Sequence, residues 1–244
     1  MRSLRNLVLV ACGIALALPA TGSGGGPTCF GRTPTIMGTP GNDTLHGGPG
    51  TDVIFSGMGN DTIAAGDGVD YVCGGEGDDT IDTGTGDDFL DGGAGDDVLH
   101  GYDGGDRIIG GDGKDFLDGR RGELGDVLIG GRGPDRMLGG ERANGGAGND
   151  RIDGIGYVDD HHRDVIQGGD GNDTIHGDTG RGDLIRGGAG RDSLSGRQGD
   201  DRILGGDDDD SLSGNEGHDH LDGEAGFDTC DPGPGTGTEV SCEA

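Results

Sequence analysis

The sequence predicts an all-β protein, a solenoid of short parallel strands wound around a thin core. Three observations carry this prediction. A nine-residue period runs through most of the chain, 62 of its 244 residues are Gly, and 47 Asp and Glu against 17 Lys and Arg leave a formal charge of −30. Only 29% of residues are hydrophobic and 3% aromatic, with no Trp, whereas an ordinary domain is about 45% apolar. By composition alone such a chain stays disordered in plain water. Something must neutralise the carboxylates before it compacts, which points to cations. The same charge excludes nucleic acid and anionic membrane surfaces as partners, since both repel it.

The first element is an export signal over residues 1–20. Arg2 and Arg5 precede an apolar run from Leu7 to Leu18, and small residues follow, the order of a secretory signal. The run is too short to span a bilayer. Cleavage is placed after Ala20, with Gly22 as the alternative. Leu9-Val10-Ala11-Cys12 looks like a lipoprotein box, but apolar residues continue past Cys12, so that reading is set aside and Cys12 leaves with the signal. Residues 21–37 form a short N-terminal segment. Cys29, Cys73, Cys230 and Cys242 then remain, and an even number in an exported chain implies two disulfides with three connectivities open.

From Gly38 the chain falls into nine-residue units such as Gly74-Gly75-Glu76-Gly77-Asp78-Asp79-Thr80-Ile81-Asp82. The period is unbroken to Asp118 and clean again from Gly187 to Asp231. Between these blocks it survives with interruptions. The unit 119–129 has two extra residues, 139–144 reads as an insertion of six, 154–167 has five extra and 177–186 one. Twenty units are counted. Position 6 is Asp in every one: Asp43, Asp52, Asp61, Asp70, Asp79, Asp88, Asp97, Asp106, Asp115, Asp126, Asp135, Asp150, Asp164, Asp173, Asp183, Asp192, Asp201, Asp210, Asp219 and Asp228. Position 8 is aliphatic or Met until the last unit, where it is Cys230. Position 4 is usually Gly, Asp208 being an exception.

The spacing has a physical reading. Positions 7–9 place one apolar residue between mostly polar ones, and side chains along a strand alternate faces. Position 8 therefore points in, while 7 and 9 point out. The other six residues turn the chain, and Gly accepts the positive φ that turns require. Two units make one coil, and coils stack about 4.8 Å apart, so Asp recurs every 18 residues along each side. Twenty units give ten coils, roughly 48 Å of solenoid. Each coil buries only two side chains, while two ladders of carboxylates repel one another. A hard divalent cation between coils resolves this. Ca²⁺ takes six to eight oxygens, whereas Mg²⁺ resists dehydration and demands a tighter octahedron. Loading of most turns, roughly 15–18 Ca²⁺, would more than offset the charge, and binding and folding become one event.

The units follow GGxGxDxUx and resemble the calcium-binding nonapeptide of the RTX, or haemolysin-type, family over residues 38–231. The resemblance implies a right-handed parallel β-roll. It implies Ca²⁺ held by the position 6 carboxylates and by turn carbonyls, among them Gly47, Pro49, Gly74, Glu76, Gly92, Ala94, Gly110, Asp112, Gly168, Asp170, Gly187 and Ala189. The whole chain looks like small exported calcium-binding repeat proteins of actinobacterial type. They too carry a Cys before the roll and a C-terminal Cys pair. The interrupted units and Asp208 depart from the pattern and put calcium sites there in doubt. The stack also decides among the disulfides. Cys73 and Cys230 lie about eight coils, or 38 Å, apart, too far to bridge. This leaves Cys29–Cys73 and Cys230–Cys242 as end clamps, each adding about 3 kcal/mol by loop entropy, with 232–244 as the C-terminal cap.

Other motifs carry less. Arg181-Gly182-Asp183 spells an adhesion tripeptide, but Gly and Asp are so common that it arises by accident. Asn42, Asn60 and Asn172 begin glycosylation sequons that are simply positions 5–7 of a unit. His161 and His162, beside Asp159 and Asp160, read as a solvated loop, and His218 and His220 as surface. No nucleophile elbow, zinc-protease motif or P-loop is present, and a thin roll offers no cleft for acid/base chemistry. The sequence reading is a secreted, non-enzymatic, monomeric calcium-binding protein. A surface or matrix adhesin, using the loaded roll as a scaffold, is one alternative. A non-catalytic relative of the accessory modules of RTX enzymes is another, since residues 21–37 and 232–244 are too short for a catalytic domain.

Overall fold

The computed structural model describes residues 26–119, 125–154, 163–235 and 237–242. The expected export signal and the His161–His162 segment lie outside the described residues. Strands are the only regular element among those described. They form two parallel sheets, of twelve and eleven strands, and successive strands alternate between them. In the regular stretches register partners are one coil apart, Ile54 beside Val72 and Val72 beside Leu90. This is the predicted parallel β-solenoid of about ten coils.

The position 8 residues from Leu45 to Leu221 are buried and form one continuous core, with Ile36 and Cys230 packed against it. The strands are longer than the expected triplet. Thr80–Thr85 and Phe89–Ala94 each run from position 7 through position 3 of the next unit. Burial alternates along them, so position 1 also points inward. It is usually Gly and adds no bulk to the core. The pleat therefore continues through the glycine pair, and only positions 4–6 are left to turn.

The segment 139–144 is not an insertion. Arg142–Ala147 is a full strand of the twelve-stranded sheet, paired with Val127–Arg132 on one side and Val165–Asp170 on the other. Ala143 takes the core position, 4% exposed. Glu141 stands at position 6, its carbonyl accepting the Val165 N–H at 2.9 Å as the Asp150 carbonyl accepts that of Thr174 at 2.8 Å. The segment is a unit of six residues whose turn is shortened by three. There are thus twenty-one units between the terminal strands Ile36–Met37 and Thr238–Val240, one more than a count keyed to Asp. The short unit also moves every later unit to the opposite sheet from the one strict alternation of the twenty would give. Asp150 consequently follows Asp135 on the same ladder after 15 residues.

Both sheets continue past the repeat. Ile36–Met37 pairs with Ile54–Phe55, and Thr238–Val240 with His220–Asp222. The disulfides Cys29–Cys73 and Cys230–Cys242 are formed, with Cα separations of 5.7 and 5.9 Å. The second closes the C-terminal end. The first lies along the side of the roll rather than at its end, because Cys73 is on the third strand of its sheet. It straps the N-terminal segment over the outer face. There Phe30 meets the stacked rings of Tyr71 and Phe89, and the Arg32 guanidinium lies 3.8 Å above the centre of the Tyr71 ring. Asp208 adopts φ 77° at its position 4, so the turn keeps its course although a side chain replaces Gly.

Candidate metal centres

Each position 6 Asp ends a turn and enters the next strand. Except in Asp126, Asp219 and Asp228, its backbone N–H donates to Oδ1 of the Asp one coil further on, as from Asp61 to Asp79 and from Asp79 to Asp97, both at 2.8 Å. The twenty predicted Asp fall on two such ladders. One runs unbroken through Asp43, Asp61, Asp79, Asp97, Asp115, Asp135, Asp150, Asp173, Asp192, Asp210 and Asp228. The other holds Asp52, Asp70, Asp88, Asp106 and Asp126, then Asp164, Asp183, Asp201 and Asp219, with Glu141 between its halves. All but Asp43 and Asp52, in the first coil, are buried.

The second carboxylate oxygen decides what these ladders can do. Oδ2 is buried without a hydrogen-bond partner in Asp61, Asp70, Asp79, Asp88, Asp97, Asp106, Asp115, Asp135, Asp150, Asp173, Asp192, Asp201, Asp210, Asp219 and Asp228. Where position 1 of the unit is Gly, Oδ2 turns under it. A Cβ placed on Gly74 would collide with Oδ2 of Asp79 and with the carbonyl of Gly92 on the next coil. Carboxylate and carbonyl oxygens therefore converge beside position 1, on space that Gly leaves open in most units. An unpaired buried carboxylate oxygen is costly, and a hard cation among oxygens removes that cost. The donor set fits calcium, being all oxygen and drawn from two coils.

Electrostatics agrees. Burial pushes Asp88, Asp97, Asp106, Asp135, Asp183 and Asp192 up to about 7, and Asp79, Asp115, Asp126, Asp150, Asp201 and Asp210 up to about 6. Neighbouring carboxylates add to the rise, while the backbone N–H on Oδ1 opposes it. A cation beside the ladder reverses the effect.

The expected carbonyls are placed as follows. Those of Gly92, Gly110, Gly168 and Gly187 abut the inward side of the position 1 Gly on the coil before. The Gly74 carbonyl meets Ser56, at position 1 on the coil before, and accepts its hydroxyl at 2.6 Å. The position 3 carbonyls of Glu76, Ala94, Asp112, Asp170 and Ala189 each accept a turn N–H from the preceding coil at 2.7–2.8 Å, which leaves one lone pair. Gly47 and Pro49 belong to the first strand of their sheet and have no coil before them. Carbonyls of positions 2 and 4 point the opposite way, those of Gly57 and Gly59 meeting Gly75 and Gly77.

Two features escape the sequence reading. The first is a ladder at position 5, where an Asn or Asp side chain accepts the N–H of position 5 one coil on: Asn42 to Asn60, Asn60 to Asp78, Asp78 to Asp96 and Asp96 to Lys114, at 2.9–3.1 Å. The second is Glu141. Its only sequence signal is a lone core-sized residue two places after an acid, too brief to stand out. Asp183 of the adhesion tripeptide is 1% exposed, so its carboxylate faces the roll and not a receptor. His220 is on the outer face, bonded to Thr238 Oγ1 at 2.8 Å.

Two ladders of inward carboxylates, closed by turn carbonyls in a parallel β-solenoid, define a calcium-binding repeat protein. The chain belongs to the RTX calcium-binding nonapeptide repeat family, whose sequence model matches residues 35–63, 65–99, 74–108, 91–123, 122–141, 137–154, 163–184, 179–212, 195–230 and 204–238. Its repeats are calcium-binding. No curated protein matches the chain.

Proposed function

We propose that this is an exported, non-enzymatic protein whose β-solenoid forms as Ca²⁺ enters the gaps between its coils. The observation that carries the reading is the row of fifteen inward Oδ2 atoms, buried and without partners. The twenty position 6 Asp are the charged ligands, and carbonyls such as those of Gly92, Gly110, Gly168 and Gly187 complete the shell. Calcium supplies positive charge and a loose, high coordination number that Mg²⁺ does not match. The Asp side chains, already tied coil to coil through Oδ1, hold the gaps in register for it. Export is supported by the signal-like residues 1–20 and by two disulfides, which persist outside the cell. The chain would cross the membrane extended and fold where calcium is abundant.

Equilibrium dialysis of the mature protein tests this. The reading expects roughly 15–18 Ca²⁺ bound per chain near millimolar free calcium, with little Mg²⁺. Binding of none or a few ions, or equal uptake of Mg²⁺, would overturn it.

A further inference from the structure

We propose that the ten-residue unit 177–186 builds the tightest calcium site of the solenoid, with Asp178 as a third carboxylate ligand beside Asp164 and Asp183. The inference rests on the calcium reading above and assigns a site to an interrupted unit, where the departure from the pattern put one in doubt. The unit reads Gly177-Asp178-Thr179-Gly180-Arg181-Gly182-Asp183 before its strand. The longer turn folds back on itself. Asp178 Oδ1 accepts the Gly180 N–H at 2.7 Å, and the Asp178 N–H donates to Asp183 Oδ2 at 3.1 Å. Asp178 is thereby held inside, 1% exposed. Asp164 joins from the preceding coil, its N–H donating to Asp183 Oδ1 at 3.1 Å. One oxygen from each of the three carboxylates lies within 4.8 Å of the others, and all three residues are buried. Among the described residues no other three His, Cys, Asp or Glu side chains meet this closely.

A second observation, on the adjoining coil, also points to a ligand. Asp201, on the next coil, gives its Oδ1 to the Asp183 N–H at 2.7 Å. Its Oδ2 is buried with no hydrogen-bond partner, in a residue 2% exposed, beside Gly196 and near enough to Asp178 for that charge to add to the rise in pKa that burial causes. The Gly196 carbonyl closes the gap. It and Asp183 Oδ2 would each lie 2.6 Å from a Cβ placed on Gly177. A regular gap draws on two carboxylates, one from each coil. This gap adds a third, pre-positioned by its own turn. Calcium affinity rises with ligand charge and with rigidity of the site, so this gap fills first.

The test is a calcium titration by calorimetry on wild type, Asp178→Asn and Asp97→Asn, with circular dichroism at saturating calcium to verify that all three fold. Asn at 178 retains the side-chain oxygen that accepts the Gly180 N–H. Wild type should show a first step of about one ion at roughly tenfold lower calcium than the rest. Asp178→Asn should merge that step into the bulk, and Asp97→Asn, in a regular stretch, should keep it. A wild-type curve with no early step, or an Asp178→Asn curve superposable on wild type, would overturn the proposal while leaving the calcium reading intact. A wild type that binds no calcium at all would instead defeat the calcium reading.

Discussion

Position 1 is Gly because of what occupies the space beside it. At Gly74 that space is taken by Oδ2 of Asp79 and the Gly92 carbonyl, whereas nothing lies within 4 Å of a Cβ on Gly48, a position 2 residue in the first coil. Gly74→Ala should therefore lower stability by about 1–3 kcal/mol through overpacking, and Gly48→Ala should change it by less than about 0.5 kcal/mol. Thermal melts in calcium measure both, and equal shifts would contradict the inward placement of position 1. Ala65 buries its methyl group in the core at position 1, and the two hydroxyl residues found there have partners. Ser56 and Thr83 donate to the carbonyls of Gly74 and Gly101 at 2.6 and 3.0 Å. The inward Asp and position 8 residues were legible in the sequence because nearly every unit repeats them, with Glu141 and Cys230 as departures. The position 5 ladder was not legible. Its acceptor must be Asn or Asp, but the group it serves is a backbone N–H, so the next residue can be Lys114, Arg191, His218 or Phe227, and no pattern survives in the letters.

At the scale of the ladder, the carboxylates set a pH response. Their folded values are raised to about 6–7 at twelve positions, among them Asp88 and Asp115, against an ordinary value near 3.9. The calcium-free roll therefore binds more protons than the unfolded chain between about pH 4 and 7. Its stability is fully present below about pH 4 and is lost as pH rises through 7. Calcium imposes the opposite slope, because protons compete for its ligands. Far-UV circular dichroism should find chelated protein more β-structured at pH 5 than at pH 8, with the calcium midpoint moving to higher concentration as pH falls from 8 to 5. A calcium-free spectrum independent of pH would contradict the burial of these groups. The short unit 139–144 belongs to the same scale. A period keyed to Asp passes over Glu141, and Ala143 is the smallest of the position 8 residues, so both of its marks are weak. Its role appears only in the pairing of Ala143 with Leu128 and Ile166, which sequence spacing cannot supply.

For the whole molecule, the fold class followed from the nonapeptide period, the charge and the Gly content, because a repeat that buries two side chains per coil has few other ways to pack. The lateral strap did not follow. Cys29 was paired correctly with Cys73, but Tyr71, Phe89 and Phe30 cover one another on the outer face, a contact between outward positions and a segment outside the repeat. The account as a whole rests on one balance. A formal charge of −30 and a core one residue wide oppose compaction, and in the proposed function calcium between the coils tips the balance toward the solenoid. The most direct measurement is far-UV circular dichroism of the mature, chelated chain at pH 7.5, titrated with Ca²⁺ and separately with Mg²⁺. The account predicts a cooperative change from coil to β-structure near millimolar Ca²⁺ and none with Mg²⁺. A spectrum already β in chelator, or unchanged by calcium, would contradict it.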